Sequence, residues 1–244
     1  MQVFSGPVDD AAMELAVANA LVRRASSGDV VDAIRIYRPA SPVLVFGRRD
    51  TRHAGFAAAV RAGREAGFEP LVRAVGGRPV AYTSEAVVVD HVRHDVRATE
   101  DHQRRFADFG TQYADALRDL GVDARVGEIP GEYCPGAQSI NARGAVKLVG
   151  TAQRVVQRAW LFSSLTLIGD DERVRSLLTQ VYAHLELPLD PATVGSVSTE
   201  RPDLTAAAVE ERFRTVFAPS AASSALDEPT LELAAAFAPD HRVS

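Results

Sequence analysis

Apolar and polar positions along this 244-residue chain fall into two rhythms. A three-to-four-residue spacing runs through AAMELAVANALVRRA, and Asp9 and Asp10 place acids ahead of it, at the positive end of a helix dipole. Two short strands are predicted next, DAIRIYRP and PVLVFGRR, split by the turn-forming Pro39 to Pro42 stretch. A helix follows over Gly55 to Ala66. EPLVRAVGGRPVAY then reads as a strand, a glycine turn and a second strand, and EAVVVDHVR as a buried strand.

The helical spacing returns from Glu100 to Leu120, with Phe106, Phe109, Tyr113 and Leu117 on one face. DARVGE, QSINARGAVKLVG and AWLFSSLTLIG supply further strands, with a hairpin turn at Asn141 to Gly144. Helices are expected over Asp170 to Leu185 and Ala206 to Phe217, the latter capped by Thr205. Residues 219–244 read as a polar tail in which LELAAAFA forms a short helix, after a main domain spanning 1–218. There is no internal repeat. Strands and helices are segregated rather than strictly alternating, so the expected class is α+β, with a mixed or antiparallel sheet flanked by helices.

Hydrophobic residues make up 46% of the chain and charged residues 24%, ordinary values for a globular protein. A formal charge of -5 disfavours nucleic acid as a partner. The first residues carry acids where a signal peptide is basic, and no apolar run is long enough to span a bilayer; the expectation is a cytoplasmic protein without a membrane segment. A single cysteine excludes an internal disulfide and a multi-cysteine zinc site, and no metal site is expected.

That cysteine, Cys134, lies thirteen positions before the chain's single lysine, Lys147; the other 26 of its 27 lysines and arginines are arginine. Lysine differs from arginine in being able to lose its proton when desolvated, and a thiol is a strong nucleophile near neutral pH. The pair is the candidate chemical centre. A compositional bias against lysine and a buried structural cysteine would account for it equally on composition alone.

Three blocks carry the candidate chemistry. Gly76 and Gly77 sit between Arg73 and Arg78, where paired glycines expose backbone donors to a ligand. Tyr133-Cys134-Pro135-Gly136 holds the thiol on a loop. In KLVGTAQR, alternation places Lys147 and Val149 on one strand face, with Gly150 and Thr151 opening the backbone at the strand's end. Taken singly, these are a β-turn, a loop with an incidental cysteine, and a strand ending in a polar turn. Arg48 and Arg49 form a further basic pair. His91 and His94 read as structural.

In the order GGRPVAY, CPG, SINARGAVKLVGTAQR, the blocks resemble the catalytic domain shared by lipoate–protein ligases, octanoyltransferases and biotin protein ligases. The resemblance runs over residues 5 to 217, including RIYRP…VLVFGRRD and GSVSTERPDLTAAAVEERF. ATP-using ligases of this family typically show a serine, three glycines and a His-Asp pair in the first motif. Here Val75 precedes two glycines, Arg78 takes the third place, and Tyr82-Thr83 stands where His-Asp would be. The Tyr-Cys-Pro-Gly block and Arg78 resemble the cysteine-dependent branch, with a spacing shortened at the Asn141 to Gly144 hairpin.

The resemblance implies ATP-independent transfer of an octanoyl or lipoyl group to the lysine of a lipoyl domain, such as that of glycine-cleavage H protein or a 2-oxoacid dehydrogenase E2, with acyl carrier protein as a donor. Cys134 would carry the acyl group and Lys147 would assist proton transfer. Arg73, Gly76, Gly77, Arg78, Gly150 and Thr151 would bind substrate, and Val80, Val88 and Val149 would line an acyl tunnel. No cofactor is needed on this reading. Two alternatives remain: an ATP- and magnesium-dependent lipoate–protein ligase in which Cys134 is a bystander, and a non-catalytic binder of acyl groups or lipoyl domains.

Overall fold

The run at 86–94 is apolar on both sides because it lies mid-sheet, with helices against both faces. The computed structural model describes residues 1–8, 10–219 and 221–243. Asp9, one of the two acids expected before the first helix, lies outside the described residues.

The chain begins with β1 (Gln2–Ser5), α1 (Ala11–Ser27), β2 (Asp32–Tyr37), β3 (Val43–Phe46) and α2 (Phe56–Glu65). It continues through β4 (Glu69–Val72), β5 (Val80–Tyr82), β6 (Ala86–His94), α3 (His102–Asp119), β7 (Ala124–Val126) and β8 (Ile140–Ala142). The long hairpin of β9 (Val146–Val156) and β10 (Ala159–Leu167) leads into α4 (Asp171–His184) and α5 (Val197–Glu200). The last elements are α6 (Ala206–Phe217), β11 (Ser223–Ser224) and α7 (Glu228–Phe237).

Among the described residues, the main sheet has eight strands in the order β11-β1-β2-β6-β10-β9-β8-β7. β1 pairs in parallel with β2 and β11, and the other neighbours are antiparallel. A second sheet has the order β4-β3-β5. The fold is thus mixed α+β, as the segregated pattern predicts.

Period-two alternation divides the core in two. Ala86, Val88 and Val92 of β6 and Leu161 of β10 join the cluster formed with α1, α2, α4 and the small sheet. Val87, Val89, Trp160 and Phe162 face the other way, onto α3 and α6. There Phe109 stacks on Phe162 with ring centroids 4.3 Å apart. Helix α1 approaches its face closely because it offers alanines, with Ala12, Ala16 and Ala20 fully buried. Its cap is Asp10, which accepts the Met13 amide at 2.9 Å, a contact of the kind worth about 1 kcal/mol. Thr205 caps α6 in the same way, accepting from Ala208 N.

The strand, glycine turn and strand expected over EPLVRAVGGRPVAY are present as β4 and β5, with β3 lying between them, parallel to β4 and antiparallel to β5. The short helix expected at LELAAAFA is present as α7, which packs on α1 through the fully buried Ala234. Arg24 and Asp227 pair at 2.7 Å beside it. Among the described residues, no helix is long and apolar enough to cross a membrane.

Candidate active site

The fold brings the three sequence blocks to one place. Cys134 lies on the loop between β7 and β8 with φ at +43°, a left-handed conformation that costs a non-glycine residue about 1–3 kcal/mol. Contacts on every side compensate. Its amide donates to the Tyr182 hydroxyl at 2.8 Å, and that hydroxyl donates to the Pro79 carbonyl at 3.0 Å. Its own carbonyl accepts from Lys147 Nζ at 2.7 Å. The sulfur accepts the Arg78 amide N–H at 3.2 Å and faces an Arg73 guanidinium nitrogen at 3.6 Å.

Arg73 also closes the glycine turn on itself, donating to Gly76 O at 3.1 Å and to Arg78 O at 2.7 Å. Gly77 has φ at +113°, and a Cβ there would overlap the Arg73 side chain and come within 2.8 Å of Cys134 Sγ. Only glycine lets this turn lie against the sulfur. The turn rests on the end of β3, where a Cβ on Gly47 would overlap Gly77 O. Asp50 accepts the Gly47 amide at 2.7 Å and lies 3.7 Å from Arg78; burial pushes its carboxyl above the usual range.

Lys147 enters from β9. Its Nζ donates to Glu132 at 2.9 Å, to Tyr133 O at 3.0 Å and to Cys134 O at 2.7 Å, so all three ammonium protons go to the cysteine loop. The lysine and glutamate side chains are 1% and 0% exposed, and removing one member of such a buried pair costs about 3–5 kcal/mol. Glu132 in turn accepts from Ile129 N, Gly136 N and Ser139 Oγ.

The alternation expected across Lys147, Leu148 and Val149 is broken. Ile140 pairs with Val149 and Asn141 with Lys147, so Leu148 is a bulge residue. Leu148 and Val149 therefore both enter the core against α3, and Val149 does not line the tunnel expected of it. Gly150 and Thr151 do not end the strand either. They pair with Leu165 and Ser164 inside the long hairpin, and the strand continues to Val156.

Two cavities meet at Cys134. A narrow one of about 90 Å³ runs beneath α1 across the sheet, walled by Val45, Val75, Val80, Val88, Leu161 and Leu165. Glu14, Asn19 and Asp90 line it too, and burial raises both carboxyls above their usual range. A broader groove of about 360 Å³ lies on the other side, lined by Gly76, Gly77, Phe106 and the 134–139 loop. Cys134, Thr151 and Ala152 belong to both.

Arg73, Gly76, Gly77, Arg78, Cys134, Lys147, Gly150 and Thr151 thus all lie at or beside this junction. The exposed Arg48 and Arg49 do not line either cavity. His91 packs between Phe109 and Trp160 and bonds Asp32 at 2.9 Å, while His94 bonds Ala25 O at 2.7 Å, both in structural roles. Sequence reasoning missed Glu132, Tyr182 and Asp50. Glu132 had a signal, as an acid two residues before the sole cysteine of a chain with one lysine. Tyr182 had none, being one aromatic on the buried face of a helix. Among the described residues, no group of three or more His, Cys, Asp or Glu side chains is placed to hold a metal ion.

The chain resembles a lipoate-protein ligase A solved with bound ATP, with a TM-score of 0.76 at 21% identity over 98% of this chain and 94% of that one. It is similar to the same degree, 0.76 at 21%, to a Thermoplasma acidophilum protein solved with lipoic acid, over 98% and 95% of the two chains. A two-part lipoate protein ligase from that organism, studied with its E2 lipoyl domain, aligns with a TM-score of 0.71 at 17% identity over 98% and 92%. These likenesses show the fold. No curated protein matches the chain. The family model described as the lipoyl protein ligase A/B catalytic domain matches residues 10–218, and the chain belongs to that family.

Proposed function

We propose that the protein transfers an octanoyl or lipoyl group to the lysine of a lipoyl domain through an acyl-Cys134 intermediate. The observation that carries this reading is the position of the sulfur at the meeting point of the two cavities, beneath an amide donor and a guanidinium. The narrow apolar cavity suits an unbranched chain, and the broader groove suits the arm of a carrier protein.

In the first step the Cys134 sulfur attacks the donor carbonyl carbon. A carbon–sulfur bond forms, the bond to the donor's leaving group breaks, and the thiol's proton passes to that departing group. Arg73 and the Arg78 amide are the nearest donors for the tetrahedral oxyanion. In the second step the acceptor amine attacks the thioester carbon, the carbon–sulfur bond breaks, and the proton lost by the amine passes to the Cys134 sulfur as the amide forms. Lys147 holds the cysteine loop from beneath through two of its carbonyls. The expected acceptors are lipoyl domains of glycine-cleavage H protein or E2 type, with acyl carrier protein as a donor. The relative studied with its E2 lipoyl domain supports the acceptor class.

An ATP-dependent lipoate–protein ligase is the second reading, favoured by likeness to a ligase solved with ATP. The side chains here fit a nucleotide poorly. Lys147 has its three protons committed to the loop, and Tyr82 and Thr83, where the ligase motif has His-Asp, are buried, with Thr83 bonded to Asp170 at 2.8 Å. Intact-protein mass spectrometry after incubation with an octanoyl carrier protein, without ATP, separates the readings. An adduct labile to hydroxylamine and absent in Cys134→Ser supports the transferase. Modification of a lipoyl domain only with ATP and free acid overturns it in favour of the ligase.

A further inference from the structure

We propose that Glu132 is a positioning residue, acting through Lys147 to hold Cys134 in its reactive conformation. This rests on Cys134 as the reactive group. Glu132 touches neither cavity and does not contact the sulfur. Its carboxylate instead gathers the amides of Ile129 and Gly136, the Ser139 hydroxyl and the Lys147 ammonium, so both arms of the cysteine loop are tied to one buried charge. The same ammonium grips the carbonyls of Tyr133 and Cys134.

The left-handed backbone at Cys134 explains why so much is invested there. Relaxing φ from +43° would swing the sulfur away from the Arg78 amide and Arg73. The amide side is anchored by the Tyr182 hydroxyl and the carbonyl side by Lys147. Without Glu132 the ammonium would be a buried, uncompensated charge, which favours its leaving the loop for water. The charged and titratable groups around the loop are then Arg73 and Arg78 from the glycine turn, Tyr133, Tyr182 from α4, and Lys147 from β9.

The test uses the chain's single cysteine, which makes alkylation by iodoacetamide report Cys134 alone. The alkylation rate is followed against pH in wild type, Glu132→Gln, Lys147→Met and the double variant, with octanoyl adduct formation measured alongside. The expected result is that Glu132→Gln changes the Cys134 alkylation rate, because the loop no longer holds the sulfur in place, and slows adduct formation by about 10- to 100-fold. In the Lys147→Met background Glu132→Gln should slow adduct formation by less than it does alone, because the part of its effect that runs through the ammonium is already gone while its bonds to Ile129, Gly136 and Ser139 remain to be lost. A wild-type alkylation profile in Glu132→Gln, or losses that simply multiply in the double variant, overturns the proposal. If Glu132→Gln does not fold, Glu132→Asp takes its place in the same cycle. Should wild type take no acyl group, the transferase reading falls, while the alkylation profiles still decide the role of Glu132.

Discussion

The backbone amide of Arg78 donates to the sulfur of Cys134 at 3.2 Å, across 56 residues of sequence. This contact joins the glycine turn to the cysteine loop, and it exists only because Gly77 has no side chain. The thiol is presented to both cavities from that junction.

Gly77→Ala should break it. The backbone conformation at φ +113° penalises alanine by more than about 1 kcal/mol, and the new methyl falls on Arg73 and Cys134. Thermal unfolding should show a lower midpoint, and the Cys134 alkylation rate should change. An unchanged alkylation profile would show that the turn does not govern the thiol.

Tyr182→Phe removes the hydroxyl that bridges the Cys134 amide and the Pro79 carbonyl. Leaving these groups unpaired in a buried site costs about 1–3 kcal/mol. Denaturant unfolding should register that loss, and octanoyl adduct formation should slow. Wild-type stability in this variant would mean that water replaces the hydroxyl.

The narrow cavity can be shortened. Val88, near the start of β6, lines it beside Tyr37 and Leu165. Val88→Phe should shift donor preference from octanoyl toward shorter chains by roughly tenfold in kcat/KM. A uniform loss for all chain lengths would place the acyl group elsewhere.

Asp90 gives a pH prediction. Burial raises its carboxyl above the unfolded value, opposed by the Ser163 hydroxyl and the Arg35 charge. The folded state therefore holds this proton more tightly than the unfolded chain. Stability from this group is undiminished below the unfolded value of about 3.9 and falls as pH rises toward the folded value. Asp90→Asn removes the titration, so the gap in unfolding free energy between variant and wild type should widen in the variant's favour across that window, by up to about 1.4 kcal/mol per pH unit. A gap constant from pH 4 to pH 8 would show that folding does not raise the Asp90 carboxyl.

Much of the secondary structure was legible because its signals are local. The period of α3 and the caps at Asp10 and Thr205 are written in residues a few positions apart. The candidate site was legible in part, because Cys134 and Lys147 are the single cysteine and single lysine of the chain and lie, with the glycine pair, in short motifs that resemble a known family. The insertion of β3 between β4 and β5 was not, since a glycine turn between two strand-like runs has the same local pattern whether or not they pair. Nor was the bulge at Leu148, which reversed the side expected for Val149. A bulge is set by the partner strand's register, and that register carries no local mark.

By itself, the sequence determined which elements form, that sheet and helices would be segregated, and which two nucleophile-related side chains share one segment. Only the tertiary structure decided what those side chains touch. Lys147 could have faced the thiol, a phosphate or solvent; it is Glu132 and two loop carbonyls that take its three protons. Alternation and capping are properties of neighbouring residues along the chain. The partner of a buried charge depends on how distant segments pack, and the penalty for leaving that charge unpaired makes the choice specific.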